Sequence, residues 1–493
     1  MCMLFFTTKR LLLFLQILLV VSFLGFSVSA VAQNQVEASI RQLASSPAMQ
    51  GGSLSACVID VQTGQMVASY DPDRRLVPAS VQKVVTTATA LDMLGADFTF
   101  ETTLSYFGQI DASGTLNGNV YLRGSGDPTL GAPEWDRTLP MEALLQNWVQ
   151  VIRAKGIKKI NGSIVADPST IAAAPVPDSW QWNDMGNYYG AGVWGLNMHE
   201  NLYYLWFQQR SQLGATPKVV NISPSVPDLS IDNQVRSAPR GSGDNAYIFG
   251  APYTDQRTIR GTIPVGSQRF KIKGSLPDPP LFAAQQLHNA LEGAGVSISK
   301  SPRISKGGSA DRRTTLVSHR SPELWQIVGR TNEKSVNLYA EALLLQIKAA
   351  DESSATRASS LDQLMDHWAA LGIDPDGAHL RDGSGLSARN TMSSRFLAAL
   401  LEEVYHRQTT FDPLLKSLPL AGSKGILKNR LRGTAAEGRL YAKSGTLDQV
   451  RSYAGYAQRA DGRWYAFAFL VNNYSGSGSQ MRRQLEQLML SLF

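Results

Sequence analysis

The chain is poor in cysteine. Cys2 and Cys57 are the only two in 493 residues. Cys2 falls in an N-terminal segment that reads as a removable leader, which leaves one thiol and no intramolecular disulfide. Cys57 lies in the alternating apolar stretch Leu54 to Val61 and reads as an inert core residue. Past residue 32 no apolar run is long enough to span a membrane. Basic runs and aromatic-plus-basic motifs are missing too, so nothing argues for nucleic acid. His199-Glu200 has no second histidine four residues after the first, which excludes the helical zinc-peptidase pattern. No Gly-x-Ser-x-Gly follows a strand, which removes an α/β-hydrolase. The glycine-rich loop Gly124 to Thr129 lacks a following Gly-Lys-Ser/Thr and is no phosphate cradle. There are no internal repeats. No metal and no cofactor is expected.

What is present begins with export. Lys9 and Arg10 precede the apolar run Leu11 to Val28, and Ala30-Val31-Ala32 is a small-x-small cleavage site before Gln33. Residues 1–32 read as a signal peptide and not as a stable transmembrane anchor, which places the mature chain in the periplasm or elsewhere outside the cytoplasm. Lys plus Arg 47 against Asp plus Glu 40 gives a net charge of +7, and loss of Lys9 and Arg10 leaves +5. That balance suits weak attraction to an anionic polymer such as a cell-wall glycan, and equally an ordinary solvated surface.

Pro78-Ala79-Ser80-Val81-Gln82-Lys83 opens a run with helical spacing that Gly95 ends. Ser80 and Lys83, three apart, share a helix face near its N-terminus, where a hydroxyl and an amine can act as nucleophile and base. Ser-x-x-Lys alone is a weak signal. Far downstream come Ser335-Val336-Asn337 and then Lys443-Ser444-Gly445-Thr446, inside an apparent strand from Arg439 to Val450. Ser-x-x-Lys, Ser-x-Asn and Lys-Ser/Thr-Gly, in that order, form the set of serine β-lactamases and penicillin-binding proteins.

Further stretches narrow the resemblance: Trp182-Asn183-Asp184-Met185, Asp382-Gly383-Ser384-Gly385-Leu386-Ser387 and Pro419-Leu420-Ala421-Gly422. Ser80 and Ser335 lie 255 positions apart, far more than in compact β-lactamases. With these the chain resembles the class C low-molecular-mass penicillin-binding proteins, the D-alanyl-D-alanine carboxypeptidase/endopeptidases of peptidase family S13. The resemblance covers essentially the whole mature chain.

It implies an α/β (α+β) fold: a DD-peptidase-like sandwich of antiparallel sheet and helices, carrying a β-rich insertion of one or two domains. Residues 33–97 and 310–493 would form the catalytic domain and 98–309 the insertion. Within the latter part, Thr331 to Ser335 reads as a turn between helices. The resemblance implies that Ser80 attacks the carbonyl between two D-alanines with Lys83 as base, while burial and Lys443 lower the amine's pKa. Ser335 would relay a proton to the leaving amine, and Asn337 would orient Lys83 and the substrate amide. Lys443, Ser444, Gly445 and Thr446 would hold the terminal carboxylate. The backbone N–H groups of Ser80 and Thr446 would form the oxyanion hole. Partners would be peptidoglycan stem peptides and cross-links, with β-lactams as covalent inhibitors. The sequence leaves an oligomer open.

Three positions depart from relatives. Val336 stands where Asp is common, and Ser444 where Thr is. The Arg that follows the Asp-Gly-Ser-Gly-Leu-Ser loop in relatives is replaced by Ala388, with Arg389 one place later. Asp167 matches a segment that lines a side-chain pocket, though it reads equally as a strand-end turn residue before Pro168. With Asp448 it would read a substrate amine. Two other functions share the motifs. A β-lactamase would need a deacylating base, and no Glu-x-x-Leu-Asn segment follows the second motif. A catalytically idle wall-binding scaffold would have no need of an intact Ser80, Lys83, Ser335, Asn337 and Lys443.

Overall fold

A computed structural model describes residues 35–305, 312–350 and 355–493; the leader lies outside the described residues. The chain divides into two compact units. The first takes the described part of Met1–Pro78 with Met392–Tyr405 and Pro419–Phe493; the second takes Ala79–Thr391 and His406–Leu418.

The first unit is built on one five-stranded antiparallel sheet. Its order is Leu440–Leu447, Val450–Gln458, Trp464–Asn472, Ser53–Asp60, Gln65–Tyr70. Side chains alternate across a strand, so each strand serves two faces. Leu54, Ala56 and Val58 share a core with Val36 and Ile40 of the helix at 35–44 and with Met481 and Leu485 of the C-terminal helix Gly478–Leu490. The opposite face meets the helix Ser394–Tyr405, where Ser55 Oγ lies 2.8 Å from Ser394 Oγ. A sheet covered on both faces explains why these strands read as nearly unbroken apolar runs. Cys57 is fully buried within it, and desolvation pushes its thiol up to about 12.

The second unit holds the β-rich segment and a group of helices. Three sheets occupy the β-rich segment. The largest, of seven strands, is centred on Glu101–Ile110 and Thr115–Arg123. Its outer strand Thr314–Arg320 pairs with Glu101–Ile110, so the β-rich segment runs on to Arg320. Helices Met141–Ala154 and Pro279–Gly293 pack on each other and share the apolar core of these sheets.

The helical group is Gln82–Leu94, Leu324–Lys334, Asn337–Ala349, Arg357–Ala370 and Gln408–Ser417. Asp92 ties three of them together: it accepts from Thr410 Oγ1 at 2.6 Å, lies 2.9 Å from His367 Nε2, and accepts from Arg407 Nη1 at 3.2 Å. Thr331 to Lys334 is not the expected turn; the helix continues through it and only Ser335 breaks it. Thr331 and Asn332 are buried and hydrogen-bonded, whereas Lys334 is exposed. Thr331 Oγ1 donates to the Ile327 carbonyl, and Asn332 Nδ2 donates to Thr87 Oγ1 and Ser417 Oγ. Among the described residues no helix is long and apolar enough to cross a membrane.

Candidate active site

Ser80 sits in a single 3-10 turn, Ala79–Val81, immediately before the helix Gln82–Leu94. That helix is buried from Gln82 to Leu91, which forces the Lys83 ammonium stem into the interior. A lysine with no exposure needs acceptors, and Lys83 Nζ has three. It donates to Ser80 Oγ at 3.0 Å, to Asn337 Oδ1 at 2.6 Å and to the Ser384 carbonyl at 2.6 Å. Burial lowers its pKa to about 7 against the opposing pull of the carboxylates Asp382 and Glu341. A base near neutrality thus stands within hydrogen-bond reach of a hydroxyl nucleophile.

Asn337 opens its helix and uses both ends of its amide, since Nδ2 donates to the Tyr189 carbonyl at 2.7 Å. Ser335 caps the preceding helix in a left-handed conformation, φ 58° and ψ 40°, and is half-buried. The reversal between the two helices therefore falls on Ser335, two residues before Asn337.

The loop Asp382 to Ser387 completes this cluster. Asp382 accepts from the backbone of Gly385 at 2.8 Å and Ser387 at 2.7 Å, from Trp180 Nε1 at 2.8 Å and from Asn390 Nδ2 at 2.9 Å. Thr86 Oγ1 donates to the Gly383 carbonyl at 2.7 Å, and Gln82 Nε2 to the Asp382 carbonyl. Helix and loop are bound to each other on both sides of Lys83.

The other expected site residues are placed as follows. Lys443, Ser444, Gly445 and Thr446 lie on the strand Leu440–Leu447 of the first unit, with Lys443 buried and Thr446 exposed. Lys443 Nζ donates to the Ser444 carbonyl at 2.8 Å, and Thr446 Oγ1 accepts from Arg451 Nη1 at 2.9 Å. Asp448 is exposed in the turn after that strand, and Arg389 is exposed at the end of the Asp382 loop. Asp167 ends the strand Ile164–Asp167, buried and already paired with Arg313 Nη1 at 2.5 Å. The Arg313 guanidinium lies over the Tyr121 ring at 4.0 Å. Sequence reasoning missed Glu341, the Ser384 carbonyl and the Asp382 carboxylate as neighbours of Lys83. Glu341 alone left a trace: it is the one carboxylate in an otherwise buried apolar helix.

A half-buried Ser hydroxyl against a buried Lys amine, with an Asn at that amine, is the arrangement of a serine acyl-transfer enzyme. Comparison with known proteins narrows the class. The D-Ala-D-Ala carboxypeptidase 3 (S13) family model matches residues 36–491, and the chain belongs to that family. It is similar to the D-alanyl-D-alanine carboxypeptidase of Actinomadura sp. (strain R39), at 29% identity over 441 residues, 87% of this chain and 79% of that one. It is similar also to D-alanyl-D-alanine carboxypeptidase DacB of Haemophilus influenzae, at 24% over 436 residues and 86% of each chain. The crystal structure of penicillin binding protein 4 (dacB) from Haemophilus influenzae superposes with TM-score 0.80 at 23% identity, over 92% of this chain and 98% of that chain, and shows the shared fold.

Proposed function

We propose that this chain is a serine DD-peptidase that cleaves D-Ala-D-Ala termini or D-Ala cross-links of peptidoglycan through an acyl-enzyme on Ser80. The observation that carries this reading is the fully buried Lys83 amine, with a pKa near 7, 3.0 Å from the Ser80 hydroxyl. Lys83 takes the hydroxyl proton as Ser80 Oγ bonds to the carbonyl carbon. The tetrahedral intermediate collapses, the C–N bond breaks, and the leaving amine receives a proton by way of Ser335. Water then hydrolyses the ester and regenerates Ser80. Asn337 fixes the amine of Lys83 and faces the substrate amide. On this reading Lys443, Ser444, Gly445 and Thr446 hold the terminal carboxylate.

A β-lactam presents a ring amide in place of the D-Ala-D-Ala amide and acylates the same hydroxyl. The Haemophilus influenzae penicillin binding protein 4, of similar fold, has been crystallised with a β-lactam. Labelling with a fluorescent penicillin tests the reading. Stoichiometric labelling together with D-alanine release is expected, an idle scaffold would take no label, and a β-lactamase would turn the label over rapidly.

The reading extends to place and organisation. The leader at 1–32 directs the chain outside the cytoplasmic membrane, where its substrate lies. The insertion, which begins near residue 98 and runs on to Arg320 with its outer strand, is read as non-catalytic.

A further inference from the structure

Glu341 occupies the helix Asn337–Ala349, one turn beyond Asn337 on the same face. It has no exposure. A carboxylate in that position must be satisfied locally, because burial without partners costs several kcal/mol. Its Oε1 accepts from the backbone N–H of Gly383 at 2.9 Å and of Ser384 at 2.8 Å, while Arg357 Nε lies 3.4 Å from Oε2. Ser384 is therefore gripped at both ends of its backbone. Its N–H meets Glu341, and its carbonyl receives Lys83 Nζ at 2.6 Å. One helix face thus controls the amine twice, directly through the Asn337 amide and at one remove through Glu341 and Ser384.

We propose that Glu341 is a positioning residue of the acylation machinery, which holds the Ser384 carbonyl where it aims Lys83 at the Ser80 hydroxyl. This inference rests on the serine-peptidase reading above. Glu341 acts on the base in a second way, by its charge. Within this unit the charged groups that act on Lys83 are Asp382 and Glu341, and Arg357 backs Glu341. Both carboxylates favour the protonated amine, which cannot accept the Ser80 proton. The Glu341 carboxyl is itself raised to about 6, chiefly by burial and then by the neighbouring Asp382.

The test is the rate of acylation by a fluorescent penicillin across about pH 5 to about 9, for wild type, Glu341→Gln and Glu341→Ala. Glu341→Gln keeps an oxygen for both N–H groups and removes the charge. Its acid limb is expected to move to lower pH by about half a unit or more, with the plateau rate within about threefold of wild type. Glu341→Ala strands both N–H groups, and its plateau rate is expected to fall at least about tenfold. A purely structural glutamate would slow the reaction equally at every pH. An acid limb of Glu341→Gln that coincides with wild type overturns the proposal, and this arm decides alone if Glu341→Ala does not fold. A folded Glu341→Ala that acylates at the wild-type rate overturns it as well. Wild type that takes no label overturns the peptidase reading and this one with it, whereas labelled wild type with unmoved variants overturns this one alone.

Discussion

Gly385 approaches the backbone of Ala79 so closely that a Cβ placed on it would lie 2.0 Å from the Ala79 carbonyl oxygen. The loop that holds Lys83 is thereby pressed against the turn that carries Ser80. Gly385 also has a φ of +77°, and Ala79 itself sits at +49°. A side chain at 385 must push that turn away. Gly385→Ala is expected to cut the penicillin acylation rate by about a hundredfold and to lower stability by about 2–4 kcal/mol, read by labelling kinetics and urea melts.

Ser80→Ala should abolish both labelling and D-alanine release. Lys83 keeps two of its three acceptors, Asn337 and Ser384, so the fold should survive with a loss of about 1 kcal/mol or less. Mass spectrometry of protein incubated with penicillin is the check, and a covalent adduct on Ser80→Ala would remove Ser80 from its role.

Asp127, in the glycine-rich loop, is buried with Oδ1 accepting from Thr129 and with no hydrogen-bond partner at Oδ2. Burial raises its pKa from 3.8 to about 6. The folded state therefore binds this proton more tightly than the unfolded chain, so stability from this group is present in acid and is lost as pH rises to about 6. Asp127→Asn removes that loss. It should raise stability at pH 8 by about 1–3 kcal/mol, with the gain shrinking toward pH 4, as measured by denaturation at both values.

Substrate choice should turn on Asp448 more than on Asp167. The Asp167 carboxylate is already neutralised by Arg313, whereas Asp448 is exposed in the turn after the strand Leu440–Leu447. We expect Asp448→Asn to reduce the preference for a stem peptide with a free side-chain amine by about tenfold, and Asp167→Asn to change it less. Peptides with a free or an acetylated amine, compared on all three proteins, provide the measurement. An equal effect of acetylation in all three would mean that neither carboxylate reads the amine.

The exported protein should begin near Gln33. N-terminal sequencing that finds Met1 or Leu11 retained would contradict a cleaved leader.

The fold class and the Ser80, Lys83 and Asn337 cluster were legible because each short motif carries its own local signal: a helix start, a helix reversal, a strand. The third motif was legible as a strand for the same reason. What stayed hidden is what depends on packing. Thr331 and Asn332 read as turn residues because polar side chains mark turns when exposed, yet here Thr331 bonds back to Ile327 of its own helix and the Asn332 amide donates to Thr87 and Ser417 of two neighbouring helices. The outer strand Thr314–Arg320 pairs with a strand two hundred residues earlier, and no local pattern announces such a partner. Asp167 read as a free carboxylate because Arg313, distant in sequence, gave no sign of pairing with it. Ser384 holds Lys83 by its carbonyl, and a backbone contact leaves no trace in the side-chain code.

Cys57 gives the first unit a built-in reporter. Its sulfur lies in the middle of a strand hydrogen-bonded on both sides, between Ala468 and Ser69, and burial pushes its thiol up to about 12. Alkylating reagents attack the thiolate, so the native sheet shields this sulfur both by ionisation and by access. In a chain that begins near Gln33, Cys57 is the one thiol, and its consumption counts openings of that sheet without a label, a chromophore or an engineered residue.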